Sequence, residues 1–285
     1  MQVAIIGLGL VGGSIGLALK QSSQPRCEIV AYVRRPEVAS TALSLGVVDR
    51  VETNLKDAVN EAEIVVIATP VLTVKEIISQ IADHLRRGCV VTDTASTKLD
   101  VLQWAEDLLP PTANFIGGHP MAGRETHGIQ AAEARLFQGC IYCLTPAKNA
   151  STQAIGKVVN MVEQLGATPF FIDAQEHDYL VAGISHLPML LSAALVSATT
   201  KEPSWDKMSK LAASGYRDVT RLASGNPEVN AHICLTNTAA ILHWVDRFGS
   251  ELETYRRLVT MGGKRLEEAF AEASKARREW LSRTQ

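Results

Sequence analysis

The sequence predicts an α/β doubly wound domain over residues 1–170, followed by an all-α domain over residues 171–285. Three observations carry this. β-branched apolar runs alternate with stretches of helical spacing through the first half. No convincing β-run follows TPFFID (168–173). And 285 residues are long for one layer-packed unit. With 46% hydrophobic and 20% charged residues, the chain has material for real cores and no disordered composition. A formal net charge of −2 argues against a nucleic-acid surface, which carries a basic excess.

The strands are expected at VAII (3–6), EIVAYV (28–33), EIVVIA (63–68), CVVTD (89–93), NFIGG (114–118), CIYCLT (140–145) and TPFFID (168–173). Helical spacing occupies 71–85 and 97–108 between them. Strands separated by helices build βαβ units, hence a mainly parallel sheet covered on both faces. Beyond 173, the helical period breaks at Pro203, Gly225-Asn226-Pro227, Gly249 and Gly262-Gly263. HLPMLLSAALVSA in that half shows hardly any polar face, and a helix apolar all round must be surrounded by protein. So small a domain can hardly do that alone, so a homodimer through the helical half is expected. The stretch KRLEEAFAEASKARREWL reads as a solvated amphipathic helix.

Two uncharged stretches, 3–19 and 180–200, have superficial membrane character. The first holds five glycines and lacks a positive flank; the second is interrupted by His186, Pro188 and several hydroxyls. Both read as buried elements, and no membrane segment is expected. Cys27, Cys89, Cys140, Cys143 and Cys234 read as reduced thiols of a cytoplasmic protein. Cys140 and Cys143 form a CxxC, but positions i and i+3 of a strand face opposite sides, so no metal site is expected.

GLGLVGGS (7–14) follows the first strand and opens a helix, with Gly7, Gly9 and Gly12 in G-x-G-x-x-G spacing. That context makes it a Rossmann-type dinucleotide fingerprint. Gly7 permits the tight turn, Gly9 lets a pyrophosphate approach the backbone, and Gly12 lets helix and strand pack closely. The helix N-terminus, beginning at Leu10, supplies free N–H donors. Thr69 and Pro70, after the 63–68 strand, are assigned to the same site. The second strand ends AYVRRPE, with Val33 where an NAD site usually has an acid for the ribose hydroxyls. Arg34 and Arg35 suit a 2′-phosphate, so NADP is favoured over NAD, with Arg34 the better candidate. The other reading makes both arginines ordinary turn charges.

Four further segments carry chemistry-bearing residues. VTDTASTK (91–98) runs from a strand end into a helix, where Ser96 or Thr97 is either a helix cap, with Asp100 beyond, or a site residue. GGHPMAGRETHG (117–128) sets His119 between Gly118 and Pro120, either in a surface turn or in a catalytic loop. ISHLPML (184–190) places His186 before a proline, as a core histidine or a pocket residue. SGYRDVTRLASGNP (214–227) puts Arg217 and Arg221 on one face if helical, with Asp218 able to orient Arg221. A surface ion-pair cluster is the alternative there.

Together and in this order, GLGLVGGS, VTDTASTK, GGHPMAG, ISHLP and SGYRDVTR resemble the prephenate/arogenate dehydrogenase family of tyrosine biosynthesis, over nearly the whole chain. The resemblance implies oxidative decarboxylation of a 4-hydroxycyclohexadiene carboxylate, with hydride leaving C4 and carbon dioxide leaving C1. A base that takes the hydroxyl proton stabilises the positive charge developing at C4, and His119 suits that role because an ordinary imidazole titrates near neutral pH. The resemblance further implies that Ser96 lies near the substrate hydroxyl and nicotinamide, and that Arg221 grips the ring carboxylate. It implies that Glu125 pairs with Arg221 and gates the entrance, and it keeps His186 in the substrate pocket. Many prephenate-using members read HLPH, where this chain has Met189. That departure and the arginines favour L-arogenate with NADP; prephenate, giving 4-hydroxyphenylpyruvate, is the alternative. Outside this chemistry stand a β-hydroxyacid dehydrogenase, an imine reductase and a catalytically silent NADP-binding sensor. The length leaves no room for a fused mutase or amino-acid-sensing domain, so any feedback is expected near the active site.

Overall fold

The computed structural model describes residues 1–22, 27–123 and 126–283. Among the described residues eight strands form one sheet: β1 (Gln2–Ile6), β2 (Glu28–Tyr32), β3 (Arg50–Glu52), β4 (Ile64–Ile67), β5 (Val90–Asp93), β6 (Asn114–Pro120), β7 (Ile141–Pro146) and β8 (Thr168–Phe171). Their spatial order is β3-β2-β1-β4-β5-β6-β7-β8. The order reverses between β1 and β4, the position where doubly wound sheets open a crevice at their carboxyl ends. All pairs are parallel except β6 with β7. The described part of the β6–β7 connection holds no α-helix, only a 3₁₀ turn at Ile129–Ala131, so β7 returns antiparallel. β3 escaped the sequence analysis because three residues at a sheet edge carry no readable period.

The helices of this region are α1 (Leu10–Gln21), α2 (Pro36–Ser44), α3 (Leu55–Val59), α4 (Val71–Ile81), α5 (Leu99–Leu108) and α6 (Thr152–Gln164). Strand alternation divides the core between the two sheet faces. Val3, Ile5, Ile64 and Val66 pack with Ile15, Phe137, Tyr142 and Met161 on one face. Ala4, Ile6, Val65 and Ile67 pack with Val74, Ile78, Val101 and Phe115 on the other. Strands buried on both faces read as continuous apolar runs, which is why six of them were legible.

Among the described residues after Phe171 only helices occur: α7 (Ala174–Val181), α8 (Leu187–Thr200), α9 (Trp205–Leu211), α10 (Ser214–Thr220), α11 (Pro227–Thr236), α12 (Thr238–Met261) and α13 (Lys264–Arg283). Residues 1–238 form one compact unit and 239–285 a second. Five residues, Ala182–His186, make a π-turn between α7 and α8. Pro188, at the start of α8, has no N–H to offer the preceding turn, and π-turns relieve such a break. The run Ala174–Thr200 is long and apolar enough to cross a membrane by length and composition. Its first half nevertheless buries His177, Asp178 and His186, and Asp178 bonds to the start of α5. α8 buries only Leu187 and Ser192, so this chain does not enclose its apolar surface. In the second unit, Gly262 and Gly263 at φ +65° and +81° turn α12 into α13. Tyr255 packs on Phe270 across that turn, with ring centroids 5.5 Å apart.

Candidate active site

Two cavities open at the carboxyl edge of the sheet, and α11 borders both: Glu228 lines the first, Asn230 and Ile233 the second. The first, of about 680 Å³, is walled by Gly7, Leu8, Val33, Arg34, Arg35, Thr69 and Pro70 among others. Gly7 has φ +102°, and a Cβ there would stand 2.5 Å from the Ala68 carbonyl oxygen. A Cβ on Gly12 would run into the Gly7 carbonyl, so helix and turn touch only because both residues are bare. Above Gly9 nothing lies within 4 Å. A close-packed turn with open space at its second glycine, at the start of α1, is the cradle a pyrophosphate requires. Val33 is buried, while Arg34 and Arg35 are exposed at the rim, where Arg35 faces Glu37 at 4.0 Å.

The second cavity, of about 510 Å³, brings together Ser96, His119, His186, Met189 and Arg221. Each arrives by a different route. Ser96 lies between β5 and α5, and neither it nor Thr97 caps that helix. The first N–H groups of α5, on Lys98 and Leu99, are taken by the Asp178 carboxylate at 2.7 and 2.9 Å. The Thr97 hydroxyl instead meets that of Thr236 at 2.8 Å. His186 comes from the π-turn. Arg221 begins a 3₁₀ turn, Arg221–Ser224, that follows α10. That turn is pinned to α8, because the Ala223 N–H donates to Ser192 Oγ at 2.8 Å. Arg217 lies in α10 and Arg221 opens the turn after it; Arg217 is exposed and does not line the cavity. Glu125 lies outside the described residues.

His119 sits in β6 itself, opposite Cys143 of β7, and not in a loop. The glycines before it serve close packing. A Cβ on Gly118 would stand 2.5 Å from the Asp93 carbonyl oxygen and 2.9 Å from the Tyr142 ring. Beneath that strand, fully buried Lys98 pairs with fully buried Asp93 and donates to the Gly118 carbonyl at 2.7 Å. Asp93 also accepts the Gly118 N–H at 3.1 Å and the Ala95 N–H at 2.8 Å. The backbone carrying His119 is thus held from below through both polar groups of Gly118.

Burial pushes the His119 imidazole well below its ordinary range, with His177, Lys98 and His186 adding to the effect. Burial likewise pushes His186 down to about 4, against the opposing pull of Asp178. Asn237 spends its amide donors on the Asp178 carbonyl (2.7 Å) and on His186 Nδ1 (3.2 Å). His186 therefore accepts at Nδ1 and carries its hydrogen on Nε2, which makes no close hydrogen bond among the described residues, although the Ser96 backbone lies near enough to favour the N–H. Both histidines are neutral at pH 7, one able to accept and one able to donate. Lys98, Asp93, His177, Asp178 and Asn237 were missed by the sequence analysis. The only signals were an EHD triplet at a helix start and a lysine directly after Ser-Thr.

Residues 15–170 match the family model described as prephenate dehydrogenase, nucleotide-binding domain, and residues 173–274 the one described as prephenate dehydrogenase, dimerization domain. The prephenate dehydrogenase of Bacillus subtilis (strain 168) is 36% identical over 259 residues, covering 90% of this chain and 70% of that protein. The crystal structure of A. aeolicus prephenate dehydrogenase in complex with hydroxyphenyl propionate and NAD+ superposes with a TM-score of 0.91 at 29% identity, covering 98% of each chain. That of Synechocystis arogenate dehydrogenase gives 0.83 at 28% identity, over 98% of this chain and all (100%) of that one. With both domain models matched in order, the chain belongs to the prephenate dehydrogenase family of oxidoreductases.

Proposed function

We propose that the protein converts L-arogenate to L-tyrosine by oxidative decarboxylation, using NADP. The observation that carries this reading is the second cavity, where a neutral base, a neutral donor and an arginine surround a space beside the nucleotide crevice. The turn at Gly7 and Gly9 and the wall at Thr69 and Pro70 would hold a nicotinamide cofactor, which would supply the acceptor for the hydride from substrate C4 as the C1 carboxylate leaves as carbon dioxide. The chain's own residues do the rest. His119 takes the hydroxyl proton, Ser96 orients that hydroxyl, Arg221 holds the ring carboxylate, and the His186 Nε2–H donates to an acceptor on the substrate. Met189 offers no donor to a side-chain keto oxygen, which favours the amino-acid side chain of arogenate. The prephenate reading draws on the names of two of the relatives above. The test is NADPH formation at 340 nm with arogenate or prephenate. Turnover of arogenate alone supports the proposal, prephenate alone transfers it to the alternative substrate, and turnover of neither removes it.

Arg34 and Arg35 at the rim, and buried Val33 in place of an acid, support NADP over NAD. Arg34→Ala is expected to raise the KM for NADP by about tenfold or more, the cost of one charge-assisted contact, and to leave that for NAD unchanged. Equal effects on both would point to a general loss of folding. Arg221→Ala is expected to raise the substrate KM by about 10- to 150-fold, with a smaller change in kcat. An unchanged KM would take the ring carboxylate away from Arg221.

We place the functional boundary near residue 170, and read the protein as a cytoplasmic homodimer joined through its helical half. The exposed apolar side chains of that half, Ile184, Leu211, Val219 and Leu235 among them, support the assembly. A monomer by light scattering at micromolar concentration would count against it.

A further inference from the structure

His119 is the near end of a buried chain of three side chains. Its Nδ1 lies 2.9 Å from His177 Nε2, and His177 Nδ1 lies 2.8 Å from Asp178 Oδ1. All three residues are buried. The far end dictates where each hydrogen sits. Both Asp178 oxygens already accept N–H groups, from Lys98 and Leu99, so the atom facing His177 is an acceptor. His177 must therefore donate from Nδ1. With His177 neutral, its single N–H is the one given to Asp178, its Nε2 is a lone pair, and His119 donates to it from Nδ1. That leaves the lone pair of His119 on Nε2.

We propose that His177 and Asp178 are positioning residues that lock His119 in its Nδ1–H tautomer and share the positive charge that forms when Nε2 takes the substrate proton. The inference rests on the reading of His119 as the base. In that step the substrate O–H bond breaks and an N–H bond forms at His119 Nε2. The Nδ1–H then leans harder on His177 Nε2, whose own Nδ1–H leans on the Asp178 carboxylate. The cation is in this way spread towards an anion without any proton leaving the protein.

The need for such a device follows from the surroundings. Burial and the neighbouring His177, Lys98 and His186 disfavour a charged His119, so the base needs a neutral His177 that accepts its hydrogen and an anion behind it. Of the two buried carboxylates near it, Asp93 is matched by Lys98. Asp178 is the one joined to His119, through His177.

The first measurement is long-range ¹H–¹⁵N correlation on the ¹⁵N-histidine-labelled wild-type protein at neutral pH, with His119 assigned by the signals lost in His119→Asn. A protonated Nδ1 and bare Nε2 are expected; the opposite pattern overturns the proposal. The second is kinetic. His177→Leu should lower kcat about a hundredfold with KM changed less than about twofold. His177→Gln, whose amide oxygen can accept the His119 hydrogen, should recover about tenfold of that. Wild-type turnover in the leucine variant, or no recovery in the glutamine variant, counts against the relay. Should the wild type turn over neither substrate, the functional reading falls, while the tautomer measurement still decides the relay.

Discussion

Replacing His119 by asparagine is expected to lower kcat by at least about a hundredfold and to leave cofactor affinity nearly unchanged. The size follows from the chemistry. Without a base, the proton on the substrate hydroxyl stays in place while positive charge grows on the carbon beneath it, and no other described side chain lining the cavity is a neutral imidazole with a bare nitrogen directed by its neighbours. His186 cannot substitute, because Asn237 fixes its free nitrogen as a donor. The change leaves the nucleotide cradle alone, since Gly7 lines the other cavity, Gly9 caps α1 and Gly12 lies in the first turn of that helix. Asparagine also keeps an amide N–H to give to His177 Nε2, so the buried contact survives and melting should shift little. Steady-state kinetics with cofactor titration reads all three quantities. A variant turning over near the wild-type rate would remove His119 from the mechanism.

The legible and illegible parts of this chain divide along physical lines. Central strands such as Ile64–Ile67 are buried on both faces, so each residue there must be apolar and the run is visible in one dimension. The fingerprint turn is visible for the same reason, because sterics at Gly7 and Gly12 admit nothing else. His119, Ser96, His186 and Arg221 were marked by their motifs, and the structure brings all four to one cavity. What stayed hidden is what depends on three dimensions alone. Asp178 caps α5 from 80 residues away, a pairing no local capping pattern can express. His177 acquires meaning only because α7 lies against β6 and α5. Arg217 looked equivalent to Arg221 under a helical period, but only Arg221 lines the cavity, while Arg217 is exposed. The glycine-rich stretch around His119 read as a surface turn or a catalytic loop, whereas Gly118 lets a strand settle onto Asp93 and Tyr142.

Lys98→Met is expected to cost about 3–5 kcal/mol of stability, because it strands a buried carboxylate. Lysine is almost never fully buried unless paired, and Lys98 and Asp93 are both wholly inside. With the ammonium gone, Asp93 keeps the Gly118 and Ala95 N–H groups but faces the interior with its charge unmatched. For a chain of this size that loss corresponds to a drop in Tm of roughly 6–20 °C. The double variant Lys98→Met, Asp93→Asn removes both charges and should regain most of it, since neutralising a buried pair together costs far less than breaking it. A single variant as stable as the wild type would show that the pair contributes nothing to the fold. The pair also bears on catalysis, because the same ammonium donates to the Gly118 carbonyl directly before His119. If Lys98 holds that backbone in register with His177, the double variant should refold in stability but not in turnover: charge balance is restored, while the carbonyl beside the base still lacks its donor.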